Sequence, residues 1–354
     1  MNIVSKILLS PFVLLYGSAV WIRNSLYKSN FIGSTDFEIP VISVGNLSVG
    51  GTGKTPLTAY LVELLQQHYK IAVLSRGYKR KTSGYLSVSA THTAEEVGDE
   101  PLMLKLKYPN AQVSVGEQRV IAIPTLLYQQ PDTQVICLDD AFQHQSVRPD
   151  INILLTPYDN PFWEDSILPL GTLREFKSGK QRANIIIVSK CPEGLNADER
   201  NNILKQLMPS ENQKVFFTTV NYGLPYNIMN PDQQLNFSDN ENQLLITGIA
   251  NANPLKKYLR EQSNEIIHFE FSDHHYFEQT ELESIVQNYP EYKNWISTEK
   301  DSVRLALHID WLRANGISIY AIPIKTFFLN NSKDEFDKLI KGFLDYFYHS
   351  ESIT

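Results

Sequence analysis

Cysteine is scarce in this chain, which has two among 354 residues, Cys137 and Cys191. Neither lies in a CxxC pair or beside a cluster of histidines, so the sequence predicts neither a disulfide framework nor a zinc site. This cysteine usage is typical of a reducing compartment. Excess positive charge is also missing, because the formal net charge is −7. That balance argues against a general nucleic-acid binder.

Charge is absent from residues 7–22, although Lys6 and Arg23 flank this segment. Sixteen uncharged residues interrupted by Pro11 are short for a bilayer span. An apolar segment with cationic flanks favours a helix that lies at a membrane surface. We therefore expect residues 1–30 to form a membrane-associating helix. The alternative is a helix that packs against the protein's own core.

A glycine-rich turn follows a short β-branched run in VISVGNLSVGGTGKT, residues 41–55. A strand that leads into such a turn, with a helix after it, lets backbone N–H groups converge on a phosphate. Lys54 would reach the β- and γ-phosphates and the Thr55 hydroxyl would hold Mg²⁺. Ser48 replaces the first glycine of the phosphate-loop consensus, and an ordinary glycine-rich turn is the alternative. The predicted nucleotide-binding residues are Ser48, Val49, Gly50, Gly51, Thr52, Gly53, Lys54 and Thr55.

A pair of acidic residues, Asp139 and Asp140, ends the apolar run at 135–138. In parallel α/β sheets the carboxyl ends of the strands line the ligand crevice, where a carboxylate can complete a Mg²⁺ site. Two adjacent carboxylates also repel each other unless a cation lies between them. We therefore predict that one of them contacts the metal. The alternative is a solvated helix start with Asp as its N-cap.

Apolar strand-like runs alternate with helical stretches along the chain, which predicts an α/β fold with parallel sheets. We expect a phosphate-loop domain over residues 31–213 and an extended β-linker over 214–243. A second, smaller Rossmann-like α/β domain is predicted over 244–354. This domain would end in an amphipathic helix whose apolar stripe is a packing surface.

Two further polar groups have residue types suited to proton transfer. Asp99 lies in an acidic turn, and His274 and His275 form the one pair of adjacent histidines in the sequence. A carboxylate paired with a histidine could orient an alcohol and accept its proton. From spacing alone, a surface cap is a more common role than catalysis for such an Asp-His-His segment.

Ten motifs occur in order over almost the whole chain: SVGNLSVGGTGKTP, LSRGYKR, VGDEP, VGEQR, LDDAFQH, LPLGTLREF, VSKCP, ITGIANANP, FSDHHYF and STEKD. Together they resemble the tetraacyldisaccharide 4′-kinase family of lipid A biosynthesis. The resemblance implies transfer of the ATP γ-phosphate to the 4′-hydroxyl of a tetraacylated glucosamine disaccharide 1-phosphate, which gives the 1,4′-bisphosphate. It also implies two Rossmann-like domains joined by a short β-linker, and a location at the cytoplasmic face of the bacterial inner membrane.

The resemblance also implies roles for individual residues. Asp99 resembles the family's catalytic acid, and His274 resembles its partner, although His275 stays open. The other matched positions are the nucleotide and metal residues Lys54, Thr55, Asp139 and Asp140, and the possible phosphate-binding residues Arg76, Arg119, Arg174 and Lys300. One departure is Ala141, where we expect glycine.

A lipid substrate with four acyl chains stays in the bilayer, so a membrane-binding amino terminus suits this activity. ATP and Mg²⁺ are the expected cofactors. The rival prediction is a membrane-associated regulatory or partitioning ATPase with a phosphate loop. Such proteins often place a lysine before the Gly-Gly pair, where this chain has Val49.

Overall fold

A computed structural model of the protein describes residues 3–237, 242–263 and 265–351. These residues form a nine-stranded sheet and a six-stranded sheet with helices packed against them. The strands are β1 (Val41–Asn46), β2 (Ile71–Ser75), β3 (Leu86–Ser87), β4 (Gln112–Val115), β5 (Val135–Asp139), β6 (Ile151–Pro157), β7 (Ile185–Ser189), β8 (Lys214–Tyr222), β9 (Tyr226–Asn227), β10 (Asn230–Gln234), β11 (Gln243–Thr247), β12 (Ile266–Glu270), β13 (Asn294–Thr298), β14 (Ser318–Ile322) and β15 (Ile324–Phe328).

The helices are α1 (Ile3–Lys28), α2 (Lys54–Leu65), α3 (Ala94–Val97), α4 (Asp99–Lys107), α5 (Arg119–Gln129), α6 (Ala197–Leu207), α7 (Asn253–Arg260), α8 (Gln279–Asn288), α9 (Glu299–Leu305), α10 (Ile309–Ala314) and α11 (Lys333–Glu351). Short 3₁₀ turns occur at Lys177–Arg182 and Ala306–His308. The predicted α/β class with parallel sheets is confirmed.

The first sheet has the strand order β15-β8-β7-β6-β1-β5-β2-β4-β3. Its central strand, β1, pairs in parallel with β5 and β6. All residues of β1 and β5 are buried, because helices cover both faces of a parallel sheet. The carboxyl ends of these two strands therefore lie side by side, which brings the glycine-rich turn next to the acidic pair.

The second sheet has the order β10-β9-β14-β13-β11-β12. Strands β11 to β14 pair in parallel, whereas β9 and β10 are antiparallel at one edge. Its core surrounds Trp295, which is completely buried with Leu244, Ile246 and Leu312. The carboxyl ends of β11 and β13 lead to the Gly248 turn and to α9, which face the first sheet.

The predicted boundary at the carboxyl terminus was wrong. Strand β15 pairs with β8 in the first sheet, and Phe336, Ile340 and Leu344 of α11 pack into the core of that sheet. The amphipathic stripe of α11 correctly indicates a packing surface. A helical stripe contains no information about which sheet it covers, so sequence position alone assigned α11 to the second domain.

The separate β-linker predicted over 214–243 was also wrong. Strand β8 pairs in parallel with β7 in the first sheet, whereas β9 and β10 belong to the second sheet. Residues 238–241 of this range lie outside the described residues. The chain crosses between the sheets after Tyr222 and again at Pro323, so the two sheets are joined by two adjacent connections.

Helix α1 contacts the first sheet's domain along one face and leaves the other face open. The hydroxyl of Tyr16 donates to the carbonyl oxygen of Arg174 at 2.9 Å, and Val20 is buried. In contrast, the side chains of Leu15 and Trp21 are 73% and 63% exposed. Among the described residues, no helix is long and apolar enough to cross a membrane.

Candidate active site

The glycine-rich turn connects β1 to α2 with the geometry expected of an anion-binding loop. Gly50 and Gly53 adopt positive φ angles of 111° and 87°, which residues with a Cβ rarely adopt. Gly53 is the N-cap of α2 and has no side chain to occupy the N–H groups of the first helical turn. Those N–H groups can therefore bind a phosphate, and Lys54 and Thr55 begin the same helix.

The backbone of the loop is held by a neighbouring segment of the chain. The N–H of Val49 donates to the carbonyl oxygen of Thr172 at 2.8 Å. The N–H of Arg174 donates to the carbonyl oxygen of Leu47 at 2.7 Å. The guanidinium of Arg174 also donates to the carbonyl oxygen of Ser48 at 3.2 Å. Arg174 is thus placed beside the phosphate loop, as its predicted role requires.

The two acidic residues after β5 have different surroundings. Asp140 lies 3.5 Å from the ammonium of Lys54 and 3.0 Å from the guanidinium of Arg174. Burial alone would raise the pKa of Asp140, but these two cations outweigh it and hold the pKa below its usual range. Asp140 is therefore the shared counter-ion of Lys54 and Arg174.

Asp139 is buried and accepts a hydrogen bond from the Thr58 hydroxyl at 3.1 Å. Burial, together with the nearby carboxylates of Glu100 and Asp140, raises the pKa of Asp139 to about 7. A cation that binds beside a buried carboxylate with a raised pKa stabilises the ionised form of that carboxylate. Asp139 is therefore better suited than Asp140 to contact a metal.

The site fits Mg²⁺ in the manner of a kinase. Across residues 8–237, 242–263 and 265–349, no cluster of three His, Cys, Asp or Glu side chains could hold a metal ion by itself. Nucleotide-bound Mg²⁺ needs only one or two protein oxygens, because phosphates and water supply the remaining ligands. Thr55 and Asp139 provide oxygens of the required kind at the start of α2 and the end of β5.

Arg119 and Arg76, two of the predicted phosphate-binding residues, have different environments. Arg119 is completely buried and donates to the backbone carbonyl oxygens of Gly116 and Asp139. Burial lowers the pKa of Arg119 to about 10, so it stays charged at neutral pH. The prediction that Arg119 meets a phosphate does not fit this position, because its guanidinium supports the end of β5. Arg76 is exposed immediately after β2.

The structure brings Asp99 and His274 together across 175 residues of sequence. Nδ1 of His274 lies 2.8 Å from Oδ2 of Asp99, and both side chains are largely buried. Nε2 of His274 lies 3.1 Å from the ammonium of Lys300. An ammonium group can only donate, so Nε2 accepts this hydrogen bond and Nδ1 carries the proton that it donates to Asp99.

Cationic neighbours keep Asp99 ionised. Burial alone would raise the pKa of Asp99, but the hydrogen bond from His274 and the positive charges of Lys300 and Arg304 lower it. Burial works against the charge of Lys300, yet the carboxylates of Glu100 and Asp99 raise its pKa. The mutual stabilisation of these charges holds the acidic and basic groups in place between the two sheets.

His275, the other candidate histidine, has a structural environment. Its Nε2 lies 2.8 Å from a carboxylate oxygen of Glu281, and its ring stacks on Phe271 with centroids 4.6 Å apart. His274 instead faces Asp99, and the Tyr78 ring lies 5.1 Å from the His274 ring. Of the two histidines left open by the sequence, His274 is therefore the one that contacts Asp99.

Sequence reasoning missed Arg304, which donates to Oδ2 of Asp99 at 2.8 Å. This residue lies three positions beyond Asp301, the last residue of the STEKD motif. A buried arginine has the same sequence signal as a solvated one. The i,i+3 spacing of Asp301 and Arg304 on a short helix was the available indication of an ion pair.

Comparisons with known proteins agree along nearly the whole chain. Residues 5–344 match the family model for tetraacyldisaccharide-1-P 4′-kinase. A tetraacyldisaccharide 4′-kinase from Flavobacterium johnsoniae is 43% identical, with 94% of this chain and 96% of that protein covered. One from Bacteroides thetaiotaomicron is 39% identical, with 95% and 92% covered. The crystal structure of LpxK from Aquifex aeolicus, described as an "apo" form in complex with ATP, is 27% identical with a TM-score of 0.71, over 94% of this chain and 97% of that one.

Proposed function

This chain belongs to the tetraacyldisaccharide-1-P 4′-kinase family, and on that premise we propose how its residues carry the reaction. The protein is an ATP-dependent kinase that phosphorylates the 4′-hydroxyl of a tetraacyldisaccharide 1-phosphate in lipid A biosynthesis. One observation supports a phosphoryl-acceptor site most strongly. It is the 2.8 Å contact between Oδ2 of Asp99 and Nδ1 of His274.

The nucleotide half of the site lies in the first sheet. We assign the triphosphate to residues 48–55, where backbone N–H groups and the Lys54 ammonium neutralise the phosphate oxygens. Thr55 and Asp139 would hold Mg²⁺, which supplies charge neutralisation to the β- and γ-phosphates when bound. Asp140 keeps Lys54 and Arg174 oriented toward the same phosphates. This arrangement positions the γ-phosphate at the carboxyl ends of β1 and β5.

The acceptor half lies between the two sheets. Asp99 orients the 4′-hydroxyl and accepts its proton as the new O–P bond forms and the bond between the γ-phosphorus and the β,γ-bridging oxygen breaks, so that ADP leaves with that oxygen. His274 holds the carboxylate through Nδ1. Lys300 and Arg76 are the remaining basic candidates for contact with substrate phosphate. Lys300 is 20% exposed at its side chain, so it can pair with an anion while it contacts His274.

The open face of α1 supports a peripheral position on the membrane. Leu14, Leu15 and Trp21 are more than 60% exposed there, and Arg23 lies two residues after Trp21. An apolar helix face with cationic flanking groups binds the interface of an anionic bilayer. We place this helix on the cytoplasmic face of the bacterial inner membrane, where ATP and the lipid substrate meet.

The activity is tested with purified protein, ATP, Mg²⁺ and the tetraacyldisaccharide 1-phosphate in detergent micelles. Label from γ-³²P-ATP should appear in a lipid 1,4′-bisphosphate, identified by its mass. Lys54→Ala is the control, because it removes the cation that reaches the terminal phosphates. Lipid phosphorylation no higher than that of Lys54→Ala would contradict the proposed activity.

A further inference from the structure

Arg304 is a buried cation in the contact between α4 and α9. Its side chain is 1% exposed. One terminal nitrogen, Nη1, donates to Oδ2 of Asp99 at 2.8 Å. The other, Nη2, donates to the carbonyl oxygen of Gly248 at 3.0 Å and to Oδ1 of Asp301. A planar guanidinium with these partners has a fixed orientation, because rotation would break several hydrogen bonds together.

The first of these contacts fixes the carboxylate of Asp99. Its Oδ2 receives hydrogen bonds from both His274 and Arg304, while its Oδ1 accepts the backbone N–H of Glu100 at 2.9 Å. The bond from Glu100 is local to α4. The other two donors belong to the second sheet's domain, so the orientation of Asp99 depends on residues from both parts of the molecule.

The second contact fixes the position of His274. The carbonyl oxygen of Gly248 that accepts from Arg304 also accepts the backbone N–H of His274 at 3.0 Å. His274 adopts a positive φ of 60°, so its loop needs such support. Arg304 is therefore bonded to one member of the acid–histidine pair directly and to the other through a shared carbonyl group.

Asp301 holds Arg304 in place from within α9. Oδ2 of Asp301 accepts the hydroxyl of Thr298 at 2.7 Å, and the backbone N–H of Asp301 donates to the same hydroxyl oxygen at 3.0 Å. Thr298 is the N-cap of α9. The capped helix start thus fixes the carboxylate, and the carboxylate fixes the guanidinium. Rigid secondary-structure elements with such support hold a reactive group more precisely than a loop does.

We propose that Arg304 is a positioning residue of the phosphoryl-acceptor site, which aligns Asp99 with His274 when α9 is docked on α4. The proposal rests on the role assigned to Asp99 above. The Arg304 side chain is buried, so it acts on Asp99 and not on a substrate directly. It makes the reactive geometry of a first-domain carboxylate depend on the contact with the second domain.

The main test replaces Arg304 with methionine, which fills a similar volume without charge. Misplacement of a reacting group by about 1 Å can cost about 100-fold, so we expect kcat to fall by about that factor with the KM for ATP unchanged. Arg304→Lys should lose less, since one ammonium can pair with Asp99 but not also with Gly248. The matched control is Arg313→Met on α10, whose own i,i+3 pair with Asp310 is exposed.

The pH profile of kcat distinguishes positioning from a general loss of folding. Arg304 lowers the pKa of Asp99, so its removal should shift the acidic limb of the profile to higher pH. The other ionisable groups that face Asp99 remain in the variant, and they are His274, Lys300, Glu100 and Tyr276. If Arg304→Met fails to fold, Arg304→Lys still provides the kcat readout: kcat should fall while the retained positive charge leaves the acidic limb near its wild-type position. A wild-type kcat, or a parallel loss of ATP affinity, would overturn the proposal.

A double substitution separates this inference from the proposed function. In an Asp99→Asn background, Arg304→Met should cause no further loss of kcat, because both changes act through the same carboxylate. A multiplicative further loss would overturn the role of Arg304 while leaving that of Asp99 intact. Full turnover by Asp99→Asn alone would overturn the role of Asp99 and this proposal with it.

Discussion

The two halves of the proposed active site are constructed differently. The nucleotide half comes from one sheet, and most of its residues lie in a single stretch, 48–55, that ends in a helix start. The acceptor half takes Asp99 from the first domain and His274, Lys300 and Arg304 from the second. The first half can therefore form on one sheet and its helices, whereas the second needs residues that follow strands of both sheets.

The acidic pair offers the largest expected effect within the nucleotide half. Asp139→Asn should lower kcat by about 1,000-fold, a loss typical of a removed electrostatic contact to a transferring group. The matched change Asp140→Asn should mainly raise the KM for ATP, because Lys54 and Arg174 lose the carboxylate that orients them toward the phosphates. Steady-state kinetics over a range of Mg²⁺ concentrations measures both. Equal effects on kcat and KM in the two variants would contradict the assigned difference.

The histidine pair sharpens the description of the acceptor half. His274→Gln should lower kcat by about 100-fold, because general acid–base groups and their partners contribute about 100-fold or more. His275→Gln should leave kcat near the wild-type value, since His275 contacts Glu281 and Phe271. Both variants are assayed at saturating ATP and lipid. A larger loss of kcat for His275→Gln than for His274→Gln would assign this role to His275.

Helix α1 adds a contact outside both halves. Leu15→Gln should reduce binding to anionic phospholipid vesicles by about 10-fold, the scale expected when one leucine no longer enters the apolar phase. ATP hydrolysis or binding in solution should not change. Co-sedimentation with vesicles measures the effect, with Tyr128→Gln as the control at an 88% exposed aromatic residue on α5. Identical sedimentation of wild type and Leu15→Gln would contradict membrane contact by this face.

The smallest effect concerns stability and has a pH dependence that follows from Asp139. Its pKa in the folded protein, about 7, lies above the value of about 3.9 for an unfolded chain. The ionised carboxylate therefore destabilises the fold increasingly from about pH 4 to about pH 7 and by a constant amount above that. Asp139→Asn lacks this penalty, so without Mg²⁺ or nucleotide its melting temperature should exceed the wild-type value at pH 8.

Thermal unfolding of both proteins across pH 4 to 8 measures this difference. The gain in melting temperature for Asp139→Asn should shrink as the pH falls from about 7 toward 4. The wild-type carboxyl is protonated in the folded protein over this range, and the fraction ionised in the unfolded chain falls as the pH approaches its pKa of about 3.9. A constant difference at all pH values would show that the gain has another cause.

The same comparison explains which features the sequence could predict. The phosphate loop was predictable because strand, glycines, Lys54 and helix are consecutive, and local chemistry determines their arrangement. The pairing of Asp99 with His274 came from family resemblance, since spacing alone favoured a surface cap. Arg304 was missed because neither its burial nor its contact with α4 is visible in a helical pattern. The wrong assignment of α11 to the second domain has the same origin. Its apolar stripe indicates that the helix packs against a sheet but not which sheet.

The separation of the two halves is tested most directly by the affinity for Mg²⁺–ATP in two variants, measured by titration calorimetry without lipid. Lys54→Ala should bind far more weakly than wild type, because it loses a cation on the terminal phosphates. Asp99→Asn should bind with the wild-type dissociation constant, because Asp99 acts on the acceptor. An equal loss of affinity in both variants would contradict the account, since Asp99 would then belong to the nucleotide half.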